Sequence, residues 1–505
     1  MELEFERENI VGYDTVAEVT LCQEETRESI VPDACPDILR IVDVCGQANL
    51  TGKQAQEGAA QVSGTITASI LYQPEEESGL RRMEISMPFT CRAETPGLTG
   101  EGKVLACIQL RSAEARALNP RKVLLRADVA VEISACQPKE LSLCSCVTEG
   151  QNDGICQRQY HGEHYYVSDV QEKPFTFEDR IRLKQNQDGG AKLLACQVKP
   201  ICTESKIIGN KLIFKGSAET ALLFQEPGGT LISSRESLPF SQIMEVAGTG
   251  EDSDCDVTVE VTQLTYEEIG EELELSVEML AQAQVRCRRN VVLLQDLYST
   301  ACQTDCKMEV RDLCRAGERT NIPQSVRELI ETPDNVRSVV DSRLCLSNVR
   351  QDREGQELVL SVDAMLTILY QGEDQSIQCV HRTLPVSCRM ECGEDVGCRC
   401  RCVCPSEVYA APAAGGVEVR FNLEFRCVTW RQCRVPAVCS VDMGAPRERG
   451  SEGGPSVVLR LAAPGEELWD IAKAYGTTTE QIAQANELED DLLPEGTMLL
   501  IPSIH

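Results

Sequence analysis

Residues 358–370 read LVLSVDAMLTILY. Leu358, Leu360, Val362, Ala364, Leu366, Ile368 and Tyr370 recur at every second position, with Ser361, Asp363 and Thr367 between them. That is the period of a β-strand with one buried face. The polar run QGEDQS that follows predicts a hairpin connection.

The same phrase occurs twice more. ITASILYQPEEESGLRRMEISMPFTCR fills 66–92, and SAETALLFQEPGGTLISSRESLPFSQIME fills 217–245. The aromatic of each (I/L)L(Y/F)Q falls at Tyr72, Phe224 and Tyr370, at intervals of 152 and 146 residues. The following proline falls at Pro88, Pro239 and Pro385, at intervals of 151 and 146. Two landmarks keeping nearly one period mark tandem domains. Upstream, PDILRIVD (36–43) pairs with PDNVRSVVD (333–341), and the middle copy offers only AKLLACQVKP (191–200). Short helices are expected near Ile38–Val42 and Val336–Val340. The expected fold is mainly β, with three β-sandwich-like repeats at 1–145, 164–300 and 301–439. A solvated linker is expected at 146–163, with the HGEH of His161 and His164 at its end.

Acids outnumber bases 80 to 49 among 505 residues, a net charge of −31. Phosphate-backbone binding needs clustered Lys and Arg, so nucleic acid is excluded as a partner. No apolar run approaches the length of a membrane span, and no export leader is visible, so a cytosolic protein is expected. No catalytic set, cofactor motif or phosphate loop stands out, and a non-enzyme is expected. His381 near Cys388 and Cys392 reads as chance proximity.

The 27 cysteines contain no paired C-x2-C unit, so no metal site is assigned. Cys398, Cys400, Cys402 and Cys404 alternate along one predicted strand face. Core filling, later oxidative cross-linking and metal binding all stay open for them.

After a Gly/Pro-rich linker at 440–456, residues 457–502 form a βααβ pattern. Leu468, Ile471, Ala472 and Tyr475 share a helix face, and Gly476 ends that helix. Thr478 and Gln481 make a capping box for a second helix carrying Ile482 and Ala485. Pro464 to Trp469, Ile471-Ala472, Tyr475-Gly476, Asn486 and Leu493 to Gly496 resemble a LysM domain. That resemblance implies a ligand face built from two loops, here Gly465, Glu466, Glu467, Leu468 and Trp469 with Asn486, Leu488, Asp490, Asp491 and Leu492. Nine acids against Arg460 and Lys473 over 456–505 suit a basic protein partner better than an anionic glycan. Trp469, one step off the buried stripe, reads either as a partner anchor or as edge packing.

The order of modules resembles the SipL-like spore-coat morphogenetic family, whose repeated unit is the SPOCS domain. The resemblance implies a mother-cell protein at the forespore surface. It would bind the coat-basement ATPase through the LysM module and recruit other coat proteins, with self-association open. The alternative is a peptidoglycan or N-acetylglucosamine binder.

Overall fold

The computed structural model describes residues 4–148, 154–182, 191–250, 252–269, 272–447, 457–463, 465–488 and 498–502. Its strands fall into three consecutive sets built on one plan. The first holds β1 (Glu4–Ile30), β2 (Ile38–Gln56), β3 (Ala59–Pro74), β4 (Arg81–Glu94), β5 (Lys103–Asn119) and β6 (Lys122–Thr148). The second holds β7 (Ile155–Arg182), β8 (Lys192–Ile208), β9 (Lys211–Gln225), β10 (Leu231–Glu245), β11 (Asp254–Ile269) and β12 (Glu272–Ser299). The third holds β13 (Cys302–Glu331), β14 (Val336–Glu354), β15 (Glu357–Gly372) and β16 (Ile377–Glu391). It continues with β17 (Val396–Val403), β18 (Tyr409–Ala413) and β19 (Gly416–Pro446).

In each set the first strand pairs with the last, and the last with the one before it: β1-β6-β5, β7-β12-β11 and β13-β19-β17. The middle three make a separate antiparallel meander: β2-β3-β4, β8-β9-β10 and β14-β15-β16. In the third set the penultimate element is broken in two, and both β17 and β18 pair with β19. β1 meets β7 at Tyr13 and Val167, which joins the first two long sheets.

Each meander buries one face on its own long sheet. In the first set Val62, Ile66, Ile70, Met83 and Ile85 pack with Val104, Leu125, Val129 and Ile133. The second and third sets repeat this around Phe214 and Val277, and around Leu360 and Phe425. The alternation read from 358–370 holds through Ile368 and then breaks, because Leu369 is buried as well as Tyr370. Leu71 and Leu223 repeat the exception. These three leucines leave their own cores and meet in one shared cluster with Cys45, Leu194 and Ala195. A second shared cluster joins Ile10 and Leu143, Val291 and Leu293, and Leu313 and Val435. Every set therefore touches both others.

One substitution pattern explains how the copies diverged without changing plan. Gly64 faces Phe89 across the β3–β4 ladder, and Gly216 faces Phe240 across β9–β10. A Cβ on Gly64 would lie 2.4 Å from Phe89 Cζ, and one on Gly216 would lie 2.6 Å from Phe240 Cζ. The ring covers the bare backbone opposite. In the third set Val362 faces Val386 at the matching rung. A small–large pair has become two medium residues of similar summed volume.

Three expectations need correction. Residues 440–446, expected as linker, are the end of β19 and pair with β13. Ile38–Val42 and Val336–Val340 are strand, the starts of β2 and β14, not helix. Their apolar residues pack against β3 and β15, and tertiary pairing overrides the short helix-like spacing. The stretch around HGEH is not a solvated linker, because β7 begins at Ile155 and pairs along β12. His164 is buried, stacks on Tyr166 at 5.2 Å, and its Nδ1 accepts from Cys314 N–H at 3.2 Å. Burial holds its pKa below the usual value.

Candidate functional site

The C-terminal module is β20 (Val457–Leu461), α1 (Leu468–Tyr475), α2 (Thr479–Asn486) and β21 (Met498–Pro502), with β20 antiparallel to β21. Leu468, Ile471 and Ala472 bury one stripe of α1 with Ile482, Leu499 and Ile501. Tyr475, the last helical residue, lies at the module's edge, 43% exposed under Arg460. On α2, Ala483 packs inward and Ala485 is exposed, one step away from the expected stripe.

The caps follow residue chemistry. Glu467 makes no side-chain cap, as its extra methylene predicts. Gly476 is left-handed with φ 64° and closes α1. Thr478 accepts from Gln481 N–H at 3.2 Å, while the Gln481 side chain accepts from the Thr477 hydroxyl at 2.8 Å.

Several residues expected on the ligand face have other partners. Glu466 pairs with Arg460 and accepts from Ala463 N–H at 3.0 Å. Asn486 donates to Leu500 C=O and accepts from Leu500 N–H, both at 2.7 Å, and so ties α2 to β21. Leu468 is fully buried, Leu488 is half-buried, and Gly465 is exposed with φ 78°. Asp490, Asp491 and Leu492 lie outside the described residues.

Trp469 is turned toward the rest of the chain. Its ring meets Tyr298 edge-on at 4.9 Å, and its Nε1 donates to Asp296 at 2.8 Å. Lys473, one turn along α1, donates to both oxygens of Asp296 at 2.7 and 2.8 Å. Arg158 pairs with Glu467 at 2.5 Å, and buried Tyr298 donates to Thr477 C=O at 2.8 Å. The α1 side of the module is thus docked on the ends of β7 and β12. Edge packing, against this chain's own second set, is where Trp469 is found.

The opposite face is open. Leu459 is 65% exposed, Leu461 61% and Met498 63%, and Leu500 lies beside them at 40%. Leu459 pairs with Leu500 and Leu461 with Met498, so the four form one cross-strand apolar patch. The signal was in the sequence. VVLRL is apolar at 457, 459 and 461 as well as 458, and MLLIP is apolar at both parities, yet two helices cover only one side of a two-stranded sheet.

The four alternating cysteines share a face, as their spacing predicts, and it is a core face. Cys400 is buried opposite Cys427, and Cys398, Cys402 and Cys404 pack on the same cluster with Cys388. Burial pushes the Cys402 thiol up to about 12, and a thiol hydrogen bond with Cys427 plus burial raises Cys398. Protonated thiols are poor nucleophiles. Arg399, on the other face, reaches Gln284 of the second set at 3.0 Å and pairs with Glu18 of the first.

Comparison with known families follows this geometry. The family described as SipL, SPOCS domain matches residues 37–116 and 191–269. The two matches cover the same structural piece, a meander plus its penultimate strand. The LysM domain family matches 463–502.

The chain carries SPOCS domains and a LysM domain.

No curated protein and no solved structure matches it. The second SPOCS match includes β8, so the middle copy keeps the element whose sequence had seemed degenerate. The third set repeats the SPOCS strand plan outside the matched residues. SPOCS and LysM are non-catalytic domain families. Together they support a sporulation-associated protein with a domain of the peptidoglycan-binding type. Among the described residues, no helix is long and apolar enough to cross a membrane.

Proposed function

We propose that the chain is a non-enzymatic spore-coat scaffold. Three SPOCS-type units, 4–148, 155–299 and 302–446, hold a LysM domain that binds the coat-basement ATPase, stage IV sporulation protein A, at the forespore surface in the mother cell. The observation that carries a protein partner is the apolar β20–β21 patch. Four aliphatic side chains standing in water on so small a module suit a protein interface. The acidity of the module adds steering toward a basic partner.

The glycan reading is less well supported. Of the two loops a LysM uses for sugar, the described part of the first is engaged by this chain itself, Glu466 with Arg460 and Glu467 with Arg158.

The test compares the full chain, a chain lacking 456–505, and the double variant Leu459→Asp/Leu500→Asp in capture of the purified ATPase and in co-sedimentation with peptidoglycan. Truncation should abolish capture, and the double variant should weaken it at least tenfold. Full-strength capture by the truncated chain sinks the proposal. Peptidoglycan binding that survives in the double variant, without any ATPase capture, would establish the glycan reading instead.

A further inference from the structure

The three meanders meet through equivalent seams. Asp341 of β14 lies opposite Leu369, as Asp43 of β2 lies opposite Leu71, so the two aspartates hold the same place in their units. Arg235 and His381 also correspond, each standing four residues before the repeat proline. Where the third unit meets the second, Asp341 is paired with Arg235 at 3.3 Å. Where the first meets the third, Asp43 faces His381 and Cys379 of β16 instead.

The donor atoms of Asp43, Cys379 and His381 all lie within 4.8 Å of one another. Cys379 Sγ is 3.4 Å from Asp43 Oδ1 and 3.6 Å from His381 Nε2. Tetrahedral zinc, with bonds of about 2.0 Å to N and O and 2.3 Å to S, places its ligands about 3.5 Å apart. The other atoms of these residues are already oriented. Thr367 Oγ1 is hydrogen-bonded to His381 Nδ1 at 3.0 Å, which leaves Nε2 aimed at the thiol. Asp43 Oδ2 is held by Arg343 and by Cys45, the latter at 3.4 Å, which leaves Oδ1 turned to Cys379. Outer partners of this kind fix metal ligands in place. Asp43 is buried, Cys379 half-buried and His381 exposed, so the cluster has a floor and a solvent entrance.

We propose that Asp43, Cys379 and His381 bind one divalent transition-metal ion of the zinc class, clamping the first repeat to the third. Cys379 releases its thiol proton to solvent on ligation. Carboxylate and thiolate then balance the dication, while Arg343 keeps its contact with Asp341 at 3.4 Å. Water completes the fourth position on the exposed side. Asp43 lies more than 300 residues from Cys379 and His381, and the three contain no C-x2-C pair, so spacing along the chain could not reveal the set.

The experiment titrates the reduced full chain with zinc, and with cobalt as a spectroscopic probe. It is repeated on His381→Ala, whose exposed position leaves the fold intact, and on Thr367→Val. The wild-type chain should bind one tight equivalent and show thiolate-to-cobalt charge transfer with tetrahedral ligand-field bands. His381→Ala should lose that equivalent, and Thr367→Val should bind about 10–100-fold more weakly. Absence of tight zinc binding, or the same stoichiometry and cobalt spectrum in His381→Ala, overturns the site.

Discussion

Asp296 holds two side chains of the LysM domain at once, the Trp469 indole and the Lys473 ammonium. Replacing it with alanine removes the bonds to both side chains and leaves Tyr298 and the Arg158–Glu467 pair to hold the contact. The expected result is release of the LysM domain at a cost of about 1–3 kcal/mol, with the repeats still folded. Trp469 emission should shift to the red, and protease should cut faster between 447 and 457. Unchanged emission and cleavage would show that Tyr298 and the Arg158–Glu467 pair secure the dock without Asp296. The sequence placed Trp469 one step off the buried stripe of α1 and left two readings open. It could not choose between them, because Asp296 and Tyr298 lie more than 170 residues away.

Among elements, the meander strands were the most legible. Their period of two survives divergence because each has one face on a core. The exceptions carried information too: Leu71, Leu223 and Leu369, each just before the repeat aromatic, break the alternation where units meet. The helices expected at Ile38 and Val336 failed for the converse reason, since five residues of apolar spacing fit either period. The Gly64–Phe89 rung gives a direct test. Gly64→Val drives a side chain into Phe89 and should destabilise the chain by about 1–3 kcal/mol in denaturant unfolding. Adding Phe89→Val, which copies the Val362–Val386 rung, should recover part of that loss. A double variant no better than the single would mean that the two sites do not couple.

At the scale of the whole molecule, the unit seams hold polar groups that no single repeat could satisfy. Gln282 of the second unit bonds both backbone groups of Ala106 in the first, at 2.9 and 2.7 Å. Nearby, Glu260 accepts from Ile108 N–H at 3.2 Å. Burial pushes its carboxyl from 4.5 up to about 7, against the lowering effect of the Ile108 and Cys107 hydrogen bonds. The folded state therefore holds this proton more tightly than the unfolded state. Stability should fall as pH rises from about 4.5 to 7 and level off above that. Glu260→Gln should match the parent near pH 4 and exceed it by on the order of 2 kcal/mol at pH 8. An identical pH slope in the two proteins would show that Glu260 titrates normally. The three repeats could be read from the chain, but their mutual contacts could not, since nothing in a period of about 150 residues says which faces turn inward.

Closing three copies on one another within one polypeptide has a consequence for how such a protein can change. In a homotrimer a single codon change is written three times, and every subunit boundary must accept it. Here each boundary is free to vary alone. One carries the Arg235–Asp341 ion pair, while its counterpart carries Asp43, Cys379 and His381. Duplication within the gene preserved the threefold plan and released it from threefold identity.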